Sequence, residues 1–174
     1  MGYSHYWTVP RAHRAYGAAW PTILDDTRRI IDAVRVHGIV IAGYDGWRRP
    51  TLATDGPGIA FNGDASTDLD ADSFTMTPPL PIAPARPRHV HVCKTNRKPY
   101  DAAVAAVLLR CALLLPGVFL IRSDGAWDGE WAHGAARASG IALPSARDIV
   151  GALFGSVPDA SPFTVGAFPL PWEG

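Results

Sequence analysis

RHVHVCKTNRKPYDAAVAAVLLRCALLLP, residues 88–116, reads as a buried strand, a basic turn and the most apolar helix of the chain. Val90 and Val92 alternate with His89, His91 and Cys93, the two-residue period of a strand. Pro99 suits the first turn of a helix, where its missing N–H has no partner to lose. Asp101 follows in that turn, where a carboxylate complements the helix dipole. Val104, Val107, Leu108, Cys111 and Leu115 then fall on one face, and Leu109, Leu113 and Leu114 widen it. Arg110 is the one charge between Asp101 and Pro116. A helix of this kind is expected to be buried on most of its circumference, under the C-terminal tail or in a homodimer.

Working outward, Tyr3, His5 and Trp7 share one face of an N-terminal strand, and Ser4, Tyr6 and Thr8 share the other. Trp20-Pro21 is expected to open a helix whose stripe runs Ile23, Leu24, Thr27, Ile30, Ile31 and Val34, with Gly38 as its left-handed cap. Segments 39–42, 59–62 and 73–77 read as short strands punctuated by the Asp45-Gly46 and Asn62-Gly63 turns. Residues 78–87 form a proline-rich extended connection inside the domain. Downstream, 118–121 reads as a strand closed by Ser123-Asp124-Gly125, and 127–139 as a helix. Ser145 caps a last helix carrying Ile149, Val150, Leu153 and Phe154. The fold class is α+β: a mainly antiparallel sheet of five to six short strands with two long helices packed on one face. It occupies residues 1–155, and 156–174 are an extended Pro- and aromatic-rich tail.

The 174 residues suit one domain. Formal charge is zero and only 18% of residues are charged, so bulk electrostatics makes no case for nucleic acid as a partner. No apolar run approaches the ~20 residues of a membrane span, and no basic-then-apolar leader opens the chain. The reading is a cytoplasmic protein with no membrane partner. Cys93 and Cys111 are expected to be reduced and too far apart to bridge. Asp68, Asp70 and Asp72 alternate as at the start of a calcium loop. Ser73 stands where that loop needs glycine and Pro79 where it needs glutamate, so the segment reads as solvated.

Four segments carry a resemblance: MGYSHYW at the start, FNGD at 61–64, CKTNRKPYD at 93–101 and SDGAWDGEW at 123–131. Together they resemble an uncharacterised family of small bacterial and phage proteins with an MGYTHYW-like start and a CKTxRKPYD-like segment. The resemblance covers about the first three quarters of the chain and leaves out the tail after Gly140. It implies no activity. It implies a shared site at strand ends and turns, where the matching segments sit, and it leaves room for a phage or mobile-element accessory role. His89 and His91 depart from the family pattern, which counts against a family-wide metal site.

The chemistry centres on the turn. Both lysines of the chain, Lys94 and Lys98, lie in it; all the other basic residues except histidines are arginines. Lys94, Arg97 and Lys98 supply charge, Thr95 and Asn96 hydrogen bonds, and a helix N-terminus free N–H groups, a set suited to phosphate. No P-loop glycines are present. The expected partner is an anionic small molecule, a phosphate or nucleotide. Its ligand-binding residues would be Lys94, Thr95, Asn96, Arg97, Lys98, Tyr100, Asp101, Asn62, Asp124, His5 and Trp7, facing one concave site. No cofactor is expected. Two alternatives stand beside this reading. One is a structural or interaction protein without a ligand. The other is a metal-dependent hydrolase that uses the alternating pair His89 and His91, with Asp101, Asp124, His5 or His133 completing the site or acting as base. A nucleophile at Cys93 or Ser123 lacks a recognisable elbow.

Overall fold

The computed structural model describes residues 2–9, 11–80, 89–135, 143–155 and 157–164, without the side chains of Val9 and His89. Its elements in chain order are β1 (Ser4–Val9), α1 (Arg14–Val36), β2 (Thr51–Leu52), β3 (Ile59–Phe61), a 3₁₀ turn (Ala65–Thr67), β4 (Phe74–Met76), β5 (His89–Lys94), α2 (Asp101–Leu114), β6 (Leu120–Ser123), α3 (Glu130–His133) and α4 (Ala146–Phe154). The fold is mixed α/β, and every strand pair is antiparallel.

The first strand is the centre of its sheet. β1 lies between β5 and β6, with His5 opposite Cys93 on one side and Ser123 on the other. Because side chains alternate along each strand, Cys93, His5 and Ser123 form one row on one face. The neighbouring register, Val92, Tyr6 and Arg122, looks the other way, and Val92 is 49% exposed. β5 therefore turns its Cys93 face inward and not its Val92 face.

The strands form two three-stranded sheets, β5-β1-β6 and β2-β3-β4, where the sequence suggested one. They meet at Asp72. Its N–H donates to the Lys94 carbonyl, and its carboxylate accepts the Lys94 N–H at 3.1 Å. Its carbonyl accepts from Cys93 Sγ and from the Tyr100 hydroxyl. With the Asp72 side chain taking the next ladder position, the pairing does not propagate into a continuous sheet. Segment 39–42 is likewise no strand: Ile39 and Ile41 are core residues, and only Ala42 pairs, with Asn62.

Helix α1 begins seven residues before the expected Pro21, which lies inside it. Proline in a helix interior costs ~3 kcal/mol. Tertiary anchors offset that cost on the first turns: the Tyr16 hydroxyl donates to the Thr77 carbonyl at 2.6 Å, and Trp20 Nε1 to the Thr54 carbonyl at 2.9 Å. The other end is as expected. Gly38, at φ +78°, donates to the Arg35 carbonyl, and Ile39 donates to that of Val34, a Schellman closure.

Every residue of α2 from Asp101 to Leu109 is buried. Its cover comes from α1, α4 and β6 of the same chain. Arg110, half-exposed, pairs with the buried Asp26 at 2.7 Å and lies 4.2 Å over the Phe154 ring. α4 has the expected Ser145 cap, made reciprocal by Asp148. The helix expected over 127–139 is α3, one short turn, with 136–142 outside the described residues. Most of the proline-rich connection (81–88) and the end of the tail (165–174) also lie outside them. Residues 157–164 pack on Trp127 and Trp131 through Phe163. No helix among the described residues is long and apolar enough to cross a membrane.

Candidate functional site

Three of the expected residues meet beneath the first sheet. His5, fully buried on β1, places Nε2 2.8 Å from Asp101 Oδ1 in the first turn of α2. The Thr95 hydroxyl donates a short hydrogen bond to the same oxygen. A carboxylate offers only acceptors, so His5 donates from Nε2, and in the neutral imidazole Nδ1 is then the acceptor. That nitrogen lies 2.9 Å from Ser123 Oγ and accepts its proton. Ser123 Oγ in turn accepts the Gly125 N–H at 2.9 Å and Trp131 Nε1–H at 3.1 Å. The rings of Tyr3 and Trp131 meet His5 edge-on from either side, with centroids 5.2 and 5.4 Å away.

This chain of hydrogen bonds ties together the start of the protein, the turn after β5, the head of α2 and the turn after β6. Three of the four segments that carry the sequence resemblance supply its members. The fourth supports it from the side, since Gly63 lies against Tyr100 and Leu69 where a Cβ would collide. Of the chain's members, Thr95, His5 and Asp101 are sealed, and Ser123 alone keeps partial exposure.

Above the buried chain, residues 95–98 make a tight turn. Lys98 N–H donates to the Thr95 carbonyl at 3.0 Å, and Asn96 and Arg97 are both left-handed, at φ +53° and +59°. This is the pattern of a type I′ turn, whose second central position ordinarily falls to glycine. Arg97 holds it with its guanidinium 4.3 Å over the Tyr3 ring and 3.2 Å from Glu130 Oε1. The Asn96 N–H donates to the Tyr3 carbonyl. Burial opposes ionisation of Glu130, but the Ala126 N–H, its own N–H and Arg97 outweigh it and hold the carboxyl below its ordinary value. Arg97, Gly129, Glu130, His133, Gly134 and Ala135 line a surface hollow of about 570 Å³.

The cations of the turn do not converge. Lys98 turns away to the 3₁₀ loop, where Nζ grips the Asp68 carbonyl closely and lies 3.4 Å from its carboxylate. Lys94 is exposed, runs beside Gly2, and forms no ion pair among the described residues. Asp124 sits at the same end of the sheet and exchanges hydrogen bonds with Ser4. The N–H groups at the head of α2 are taken up by the turn itself: Asp101 donates to Lys98, Ala102 to Pro99 and Ala103 to Tyr100.

Tyr100, Asn62 and Trp7 lie away from this surface. Tyr100 is buried with its hydroxyl on the Asp72 carbonyl. Asn62 satisfies its amide on Ala71, Ser73 and Gly63, which makes it the brace of a loop. Trp7 is core, stacked on His91 and against Phe74. His91 therefore packs on a ring, and the His89 side chain lies outside the described residues. Among the described residues no three His, Cys, Asp or Glu side chains stand close enough to hold a metal ion. Both cysteines are buried and free, their thiols pushed up by burial.

Sequence reading missed Gly125, Glu130 and Trp131 as members of this region. The SDGAWDGEW segment was their signal, but nothing in it showed that they would close over His5. Comparison of the chain with protein-family models, curated proteins and solved structures finds no match.

Proposed function

We propose that the protein binds a small anionic molecule, carrying a phosphate or similar group, at the exposed tip of the 95–98 turn. Arg97 is the observation that carries this reading. A left-handed conformation costs an L-residue ~1–2 kcal/mol, and such strain persists where the surroundings over-determine it, typically at functional positions. Here it holds a guanidinium at the edge of a hollow that also presents His133. Glu130 takes one amino group of Arg97 and leaves its other donors for a ligand. Lys94, the last residue of β5, and the Asn96 side chain are exposed beside it as further donors. Lys98 acts as a strut to Asp68. Thr95, Asp101 and His5 act from below, fixing the turn before any ligand arrives, which spares the ordering cost of binding.

Calorimetry of the purified protein against nucleotides, cyclic dinucleotides and inorganic anions tests this. One class of anion should bind the parent, with affinity falling as salt rises. Lys94→Ala and Arg97→Gly should each weaken it about 10- to 100-fold, the scale of a charge-assisted hydrogen bond. Lys98→Ala should act through stability instead. If no anion in the panel binds, the reading is wrong.

A further inference from the structure

We infer that Ser123, His5 and Asp101 form an acyl-transfer centre, with Ser123 as nucleophile, His5 Nδ1 as its general base and Asp101 as the group that orients His5. The inference does not rest on the anion reading, in which His5, Asp101 and Thr95 only brace the turn from below. Four observations carry it. First, the spacing is that of a nucleophile, base and orienter in series: 2.9 Å from Ser123 Oγ to His5 Nδ1, then 2.8 Å from Nε2 to Asp101. Second, the tautomer is the competent one, because Asp101 takes the Nε2 proton and leaves the basic lone pair facing the hydroxyl. Thr95, on the same carboxylate oxygen, holds Asp101 in that role. Third, two N–H donors, Gly125 and Trp131 Nε1, converge on Oγ and occupy its lone pairs, which leaves the hydroxyl proton directed at His5 Nδ1. Fourth, the series runs from sealed to open. His5 and Asp101 are 0% and 2% exposed, whereas Ser123 as a residue is half-buried.

The substrate class that fits is a carboxylic ester or comparably activated acyl group. In the resting protein both lone pairs of Ser123 Oγ accept hydrogen bonds, so attack requires one donor to transfer to the substrate. The Gly125 N–H or the Trp131 Nε1–H would make that transfer to the carbonyl oxygen. The Ser123 proton then passes to His5 Nδ1 as the Oγ–C bond forms. The bond from the acyl carbon to the leaving oxygen breaks, and that oxygen takes the proton from His5 and departs as an alcohol. Water attacks the acyl-serine with its proton going to His5, and that proton returns to Ser123 Oγ as the carboxylic acid leaves.

The test is a fluorophosphonate probe on the full chain, read by intact mass and peptide mapping. The expected result is one adduct on Ser123, formed at least 100-fold faster than on free serine. Asp101→Asn should slow it about 10-fold or more while circular dichroism stays native. Mapping is done on the parent, so the folding of variants does not decide the outcome. Ser123→Cys adds a second arm: its thiol should alkylate faster with iodoacetamide than the two buried native thiols. A native parent that acquires no adduct on Ser123 at millimolar probe overturns the inference. So does labelling at Ser123 that is unchanged in a folded Asp101→Asn variant.

Discussion

At the scale of single residues, Arg97 separates folding from binding. Arg97→Gly removes left-handed strain of ~1–2 kcal/mol. It also removes an exposed ion pair worth ~0–1 kcal/mol and a cation–π contact worth ~0.5–1 kcal/mol. These oppose one another, so urea unfolding should place the variant within about 1 kcal/mol of the parent while anion binding falls. Glu130 gives a pH test with a defined sign. Its folded pKa lies below the ordinary 4.5, so its bonds to Ala126 and Arg97 stabilise the fold above that value. The contribution is lost as pH falls through the folded pKa. Glu130→Gln should therefore be less stable than the parent at pH 7, and the gap should narrow as pH falls below 4.5 and through the lowered folded pKa, followed by denaturation at each pH. The role of Arg97 was legible only as composition, a cation in a basic turn. Its conformation was not, since no rule of residue preference places arginine at a position that favours glycine.

At the scale of elements, local chemistry was readable wherever one segment settles its own ends. Gly38 closes α1 and Ser145 opens α4 as their residue types require. Ser145→Ala removes one donor-acceptor exchange with Asp148 and should lower stability by ~1 kcal/mol, measured by thermal or urea unfolding. The start of α1 was misplaced because Pro21 obeys local rules only until Tyr16 and Trp20 are fastened to distant carbonyls. The strand 89–93 was recognised, but its alternation alone does not say which face turns inward. Valine is the more apolar residue, yet the register with β1 puts Cys93 beside His5 and leaves Val92 outside. The apolar length of α2 implied cover by the C-terminal tail or a second copy, and among the described residues the cover includes α1 and α4.

At the scale of the whole molecule, residues 157–164 belong to the fold. Trp127 Nε1 donates to the Asp159 carbonyl at 3.0 Å, Phe163 packs on Trp131, and the Thr164 N–H reaches the Ile121 carbonyl on β6. Ending the chain after Gly155 should expose Trp127 and Trp131. The expected result is a red-shifted tryptophan emission and a loss of ~2–4 kcal/mol in urea unfolding, the scale of removing a buried phenylalanine. The candidate site was the least legible feature of all, because its partners are spread along the chain: 96 residues separate His5 from Asp101, and 118 separate it from Ser123. The placement of β1 at the centre of its sheet also bears on manufacture. Translation delivers this strand before both its neighbours, so in a nascent chain its first edge stays unpaired until residue 94, and its second until residue 123, has cleared the exit tunnel. Sheet closure then joins ends distant in sequence, which is the slow kind of folding. A holding chaperone that shields the amino terminus during translation should raise soluble yield more than any added after release.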